Sequence, residues 1–183
     1  VGTTVDLGET TNTVGTLSAD SGEFAALTFG ASDALVVSAI DAAGTVRLDV
    51  TTGAVTQTGE ITAATLDLDG GASYTLTDAD NDVTTLDAST DTIGALSYSD
   101  ADAFTVAGID AGANAVTLRS ESGTSTVDQT GGITADALTL NGAAGTIFDL
   151  ASTANAVTSL AADPEQLAAL TFGEADGFQV LGI

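Results

Sequence analysis

Residues 24–40 read FAALTFGASDALVVSAI, residues 93–109 read IGALSYSDADAFTVAGI, and residues 167–183 read LAALTFGEADGFQVLGI. The three blocks start 69 residues apart (93 − 24) and then 74 apart (167 − 93). The sequence between them repeats in step. QTGEITAATLDLDG at 57–70 returns as QTGGITADALTLNG at 129–142, an offset of 72 (129 − 57). TVGTL, DVTTL and AVTSL end at Leu17, Leu86 and Leu160. Self-similarity at a fixed period is the signature of a repeat architecture in which each unit buries its apolar face against its neighbours. The superrepeats run approximately 1–71, 72–143 and, in part, 144–183. No capping unit is visible at either end, so the chain reads as one continuous segment of a longer array, or as a copy that joins the next.

Shorter beats lie inside each superrepeat. In the middle copy they are Tyr74-Thr-Leu76, Val83-Thr-Thr-Leu86, Leu96-Ser-Tyr98, Phe104-Thr-Val106, Val116-Thr-Leu118 and Leu138-Thr-Leu140. Apolar–polar–apolar alternation is the period of a half-buried strand, and β-branched Thr suits the outward positions. Asp, Asn, Gly and Ser fill the gaps and supply turns, as in Asp67-Leu-Asp-Gly-Gly71 and Asp110-Ala-Gly-Ala-Asn114. Short strands with polar turns and no long helical pattern predict an all-β right-handed parallel β-helix, a β-solenoid. Three strands per coil of about 20 residues would give three or four coils per superrepeat, about nine in all, and a rod ~40 Å long. Tandem small β-sandwich domains are the alternative architecture. Only Asp163–Leu170 carries a helical signal, with Pro164 at a first-turn position; its counterparts, Ser21–Phe24 and Thr90–Ile93, read as turns.

Positions that coincide between copies mark the core. They are Phe29, Tyr98 and Phe172; Leu35, Phe104 and Phe178; and Leu27, Leu96 and Leu170. Aromatic residues at such positions read as packing inside the tube rather than as a sugar-stacking surface.

Composition narrows the chemistry. The 183 residues hold two Arg, 26 acidic residues and no Lys, His, Cys, Met or Trp, for a net charge of −24. Such a surface repels nucleic acid and anionic membranes, draws divalent cations and stays soluble in strong salt. No apolar run approaches the ~20 residues of a membrane span. Without Cys there are no disulfides or thiolate metal sites, and without His, Cys or Lys there is no base for a nucleophile triad. Paired carboxylates can cleave glycosidic bonds, but the only cations, Arg47 and Arg119, stand at matching repeat positions (119 − 47 = 72). A repeated residue reads as structural, offsetting acids on a side face. No catalytic residue and no firm cofactor are therefore expected.

Calcium is the exception. Asp78, Asp80 and Asp82 alternate as ligands do in oxygen-rich calcium loops, although the sixth and twelfth positions, Val83 and Ser89, depart from the EF-hand pattern. The trio is not repeated in the other copies. A second acidic group is Asp100 and Asp102, matched by Glu174 and Asp176, with Asp33 in the first copy. The plain alternative for all of them is turn residues in water.

Tyr74–Ala88, YTLTDADNDVTTLDA, and Gly132–Leu140, GITADALTL, resemble phrases in the repeats of filamentous-haemagglutinin-type exoproteins and autotransporter passengers. That resemblance implies a right-handed β-helix, an extracellular or cell-surface location and an adhesin-like role. The expected function is a structural stalk or fibre segment of a large secreted bacterial surface protein. Its expected partners are further repeats of the same chain or identical copies end to end, with divalent cations, and neither nucleic acid nor membrane. A self-assembling filament or surface-layer subunit stacking end to end is the alternative, and a polysaccharide-cleaving β-helix the third reading.

Overall fold

The computed structural model describes residues 2–163 and 166–182. The regular elements among them are strands: β1 (Thr3–Leu7), β2 (Thr16–Ala31), β3 (Leu35–Ala42), β4 (Thr45–Val50), β5 (Ala54–Gln57), β6 (Ile61–Asp69), β7 (Ser73–Leu76), β8 (Asp82–Ala88), β9 (Leu96–Asp100), β10 (Thr105–Asp110), β11 (Ala115–Ser120), β12 (Thr126–Gln129), β13 (Ile133–Gly142), β14 (Thr146–Leu150), β15 (Ala156–Ala162), β16 (Leu167–Phe172) and β17 (Gln179–Gly182).

Pairing is parallel, and from β2 onward a strand meets the one two places further along the chain. One ladder passes through Leu27, Val46, Leu66, Leu86 and Val106. The other passes through Val55, Tyr74, Leu96, Val116, Leu138, Leu160 and Val180. The chain is a β-solenoid of about eight turns with coils about 21 residues apart, one turn fewer than the sequence suggests. At ~4.8 Å per strand the stack is ~38 Å long.

Three apolar beats per coil do not become three separate strands, because two of them run together round a corner. In β6, Ile61 and Ala63 point inward, Ala64 and Thr65 both point outward, and Leu66 and Leu68 point inward again. The same two-residue slip occurs in β3, β13 and β15. Since side chains alternate with period two, two successive outward residues re-aim the strand while its backbone stays paired. Ser21–Phe24 is likewise strand rather than turn, lying within β2, whereas Thr90–Ile93 is a bend region. Of the helical candidate, Pro164 and Glu165 lie outside the described residues, and its end, from Leu167, is β16.

Repeat-equivalent strands are seven apart: β2 matches β9 and β16, and β4 matches β11. With two strands per coil, seven strands are three and a half coils. Equivalent residues therefore fall on opposite ladders, as Leu27 and Leu96 do. The superrepeat behaves as a half-turn screw, showing each side group on one wall and then on the other.

The core columns are as expected. Leu27, Leu96, Phe29, Tyr98, Leu35 and Phe104 are buried, and Leu170, Phe172 and Phe178 pack against the same core near its end. Tyr98 and Phe104 meet edge to face at 5.3 Å, and Phe172 and Phe178 repeat the contact at 5.0 Å. Each buried Leu, Val or Phe contributes about 1.5–3 kcal/mol. Backbones approach so closely at the corners that a Cβ on Gly131 would sit 1.8 Å from the Ala107 carbonyl oxygen; its counterpart Gly59 would meet that of Ser38 at 2.0 Å.

Candidate functional site

The most developed polar structure is a pair of amide brackets inside the tube. Asn81 is fully buried. Its Oδ1 accepts from the Ile61 N–H at 2.8 Å and from Gln57 Nε2. Its Nδ2 donates to the carbonyls of Ser99 at 2.9 Å and Leu76 at 3.4 Å. Gln57 Oε1 accepts from the Asp78 N–H at 3.2 Å. One superrepeat later Asn155 repeats the set, accepting from Ile133 N–H (2.9 Å) and Gln129 Nε2 (2.5 Å) and donating to the carbonyls of Gly173 (2.9 Å) and Leu150 (3.1 Å). In the first copy Asn12 donates to Leu7 (3.2 Å) and Gly30 (3.1 Å). Each Asn thus bolts the strand before it to the coil 18 residues on. Sequence reasoning passed over these residues, although Gln57 and Gln129 open the matched 57–70 and 129–142 blocks and Asn81 stands in the quoted NDV phrase. A polar residue kept in register with buried apolar columns was the available signal.

The second structure surrounds Arg47. On β4 its guanidinium lies 2.8 Å from Asp69 Oδ2, 3.8 Å from Asp67 Oδ2 and 3.9 Å from Asp49 Oδ2. Asp67 and Asp69 alternate on β6, so both point to the wall that carries Arg47. Asp69 is fully buried. Burial and repulsion by Asp69 push Asp67 up to about 6, against the pull of Arg47; Asp87 and a side-chain hydrogen bond with Asp69 add to the rise. Asp69 is raised too, by burial and by Asp49, Asp91 and Asp87, with Arg47 opposing. At the equivalent place on the opposite wall, Arg119 meets Glu121, its Nη2 at 2.9 Å from Oε2. The strand neighbour of Arg47 is Asp67, but that of Arg119 is Asn141 on one side and Ser99 on the other. The arginines are structural partners of acids, as their spacing suggests, but only one sits in a crowd.

Asp100 departs from expectation. Read as part of a solvated acidic group, it is fully buried. Its Oδ2 accepts from Tyr98 OH (2.5 Å) and Val83 N–H (3.0 Å), and its Oδ1 from Asp102 N–H (3.1 Å). Asp100 continues the inward face of Leu96 and Tyr98 at period two, so the strand runs one residue pair further than the Leu96-Ser-Tyr98 beat suggests. Burial raises Asp100 to about 6, with those three donors opposing. Burial and the neighbouring Asp100 carboxylate raise the Tyr98 hydroxyl far above its ordinary value. Glu174 keeps half of this role in the next copy, its Oε1 accepting from Val157 N–H at 2.9 Å. Asp102 and Asp176 are exposed.

Asp78 and Asp80 lie on the turn between β7 and β8, and Asp82 opens β8. Asp80 and Asp82 are exposed, and Asp78 is half-buried with its Oδ1 capping the Asp80 N–H at 3.1 Å. Among the described residues no three His, Cys, Asp or Glu side chains are grouped to hold a metal ion. No described helix is long and apolar enough to cross a membrane. An open cleft beside β1 is lined by Asp6, Asn12, Thr28, Arg47 and Asp49, and another beside β15 by Val157, Thr158, Glu174 and Phe178.

With this geometry in view, residues 24–90 match a family described as repeats of unknown function (DUF5649). The match is 67 residues long (90 − 24 + 1), about one superrepeat. No curated protein and no solved structure matches the chain. The stretch is thus similar to a known repeat unit, and the fold is that of a repetitive β-solenoid protein.

Proposed function

We propose that this chain is a stalk or fibre segment of a large secreted bacterial surface protein, of the kind found in filamentous-haemagglutinin-type and autotransporter exoproteins. The observation that carries the reading is the uninterrupted pair of parallel ladders, cross-bolted in every superrepeat by Asn12, Asn81 and Asn155. A rod of this kind holds two points apart. Coils share backbone hydrogen bonds, so tension along the axis loads many at once, and the acidic exterior opposes lateral sticking. In this reading the protein is not an enzyme. Its Arg residues neutralise local acids, and its partners are further repeats and loosely held divalent cations.

The second reading is a self-assembling filament or surface-layer subunit that stacks end to end. In that reading an unpaired strand edge templates the next copy. Electron microscopy with sedimentation over a range of concentrations separates the two. A stalk segment gives rods of constant length ~38 Å, one coil spacing of ~4.8 Å per turn. Rods that lengthen with concentration would establish the filament instead. Release of sugars from an acidic polysaccharide would defeat both readings.

A further inference from the structure

We propose that Asp67 and Asp69 take up and share one proton in mildly acidic solution, making the wall formed by β4, β6 and β8 a joint that mild acid tightens and alkali loosens. The geometry requires a donor that the surroundings do not supply. Asp69 is fully buried; its Oδ1 and Asp67 Oδ1 have no hydrogen-bond partner among the described residues, and Arg47 Nη2, 2.8 Å from Asp69 Oδ2, pairs with it by charge without an aligned hydrogen bond. Arg47 brings one positive charge to three carboxylates, those of Asp49, Asp67 and Asp69. The groups facing the pair from the other elements are also acidic: Asp87 on β8 and Asp91 in the turn after it. Tyr74 on β7 gives its hydroxyl to the carbonyls of Asp69 and Leu48, not to a carboxylate.

Two neighbouring carboxylates, one fully and one half buried and both short of donors, disfavour double ionisation; one proton removes a charge and creates the missing donor. Both residues are displaced upward, and a hydrogen bond between the two side chains is among the causes for Asp67. The pair bridges three coils, because Arg47 aligns with Asp67 and Asp67 with Asp87. Proton loss would set carboxylates of adjacent coils against one another along this wall. The opposite wall has no counterpart, since Thr139 and Asn141 stand where Asp67 and Asp69 do.

The test follows the aspartate carboxyl carbons of the intact chain by NMR from about pH 3 to 9, alongside melting temperature. The pair is expected to titrate in two separated steps, the upper one well above the ordinary carboxylate range. In Asp69→Asn, where the amide imitates the protonated acid, Asp67 should return to a single lower step. The rise in melting temperature between about pH 8 and 5.5 should shrink to about half that of the parent, the remainder belonging to Asp100. Installing the pair beside Arg119, by Thr139→Asp with Asn141→Asp, should create a second raised titration. Two wild-type carboxyls titrating together near the usual 3.9 would overturn the proposal. So would an Asp69→Asn melting profile parallel to the parent's.

Discussion

Asn81→Ala isolates the bolt that joins coils. Removing the carboxamide strands the Ile61 N–H and the Ser99 carbonyl, both in the buried interior, and leaves the Gln57 amide without its main partner. Each buried polar group left unsatisfied costs about 1–3 kcal/mol. Two such groups and a small cavity give a loss of about 4 kcal/mol for Asn81→Ala. Asn12→Ala is the internal control. Asn12 is half-buried and serves the carbonyls of Leu7 and Gly30 on the first coils, where water can replace it. Its loss should be about 1 kcal/mol. Urea unfolding of the two variants and the parent measures both numbers. Hydrogen exchange at the Ile61 amide locates the effect, which should be a marked loss of protection in Asn81→Ala alone. Near-neighbour coupling in a solenoid confines the damage to adjacent coils. Equal losses in the two variants, or unchanged protection at Ile61, would refute the view that these amides hold the coils together.

Gly131→Ala should destabilise by more than about 3 kcal/mol, because its Cβ would meet backbone rather than a movable side chain at 1.8 Å; a melting curve matching the parent's would contradict the corner geometry. Stability should rise, not fall, as pH drops from 7.5 towards 5. Asp67 and Asp100 both stand at about 6 when folded against 3.8 otherwise, so folding takes up protons: the gain begins as pH falls through the folded value and is complete below the unfolded one. Two pKa units correspond to about 3 kcal/mol per group at most, and a thermal melt at each pH reads the trend; greatest stability above pH 8 would show the sign to be wrong. Calcium added after chelation should raise the melting temperature by several degrees if Asp78, Asp80 and Asp82 or other acids hold it. Absence of any shift would remove calcium from the account.

The internal repeat marks the core columns in the sequence, because a buried strand position repeats only if its neighbours in the stack repeat too. Phe29, Tyr98 and Phe172 were placed together on that ground, and they occupy equivalent places in the packed interior. The coil count was less legible. Ile61–Ala63 and Leu66–Leu68 look like separate beats, yet β6 carries both round a corner, and a two-residue slip in burial is invisible until the faces are known. The candidate site was read least well. Asp100 looks in sequence like the exposed Asp102 two residues on; they differ because β9 carries Tyr98 and Asp100 inward together and ends there.

The sequence alone determined that this is an all-β repeat, since apolar period two and a ~70-residue superrepeat call for repeated strands that bury one face; strand pairing decided for the solenoid over tandem sandwiches. The sequence also determined that the exterior is acidic and that the two arginines are equivalent. Tertiary structure decided what those arginines meet. Because the superrepeat spans three and a half coils, Arg47 and Arg119 lie on opposite walls, one among three aspartates and the other beside Glu121. Neighbours across a coil are about 21 residues away, and the half-coil offset that sets them appears only when the strands are paired.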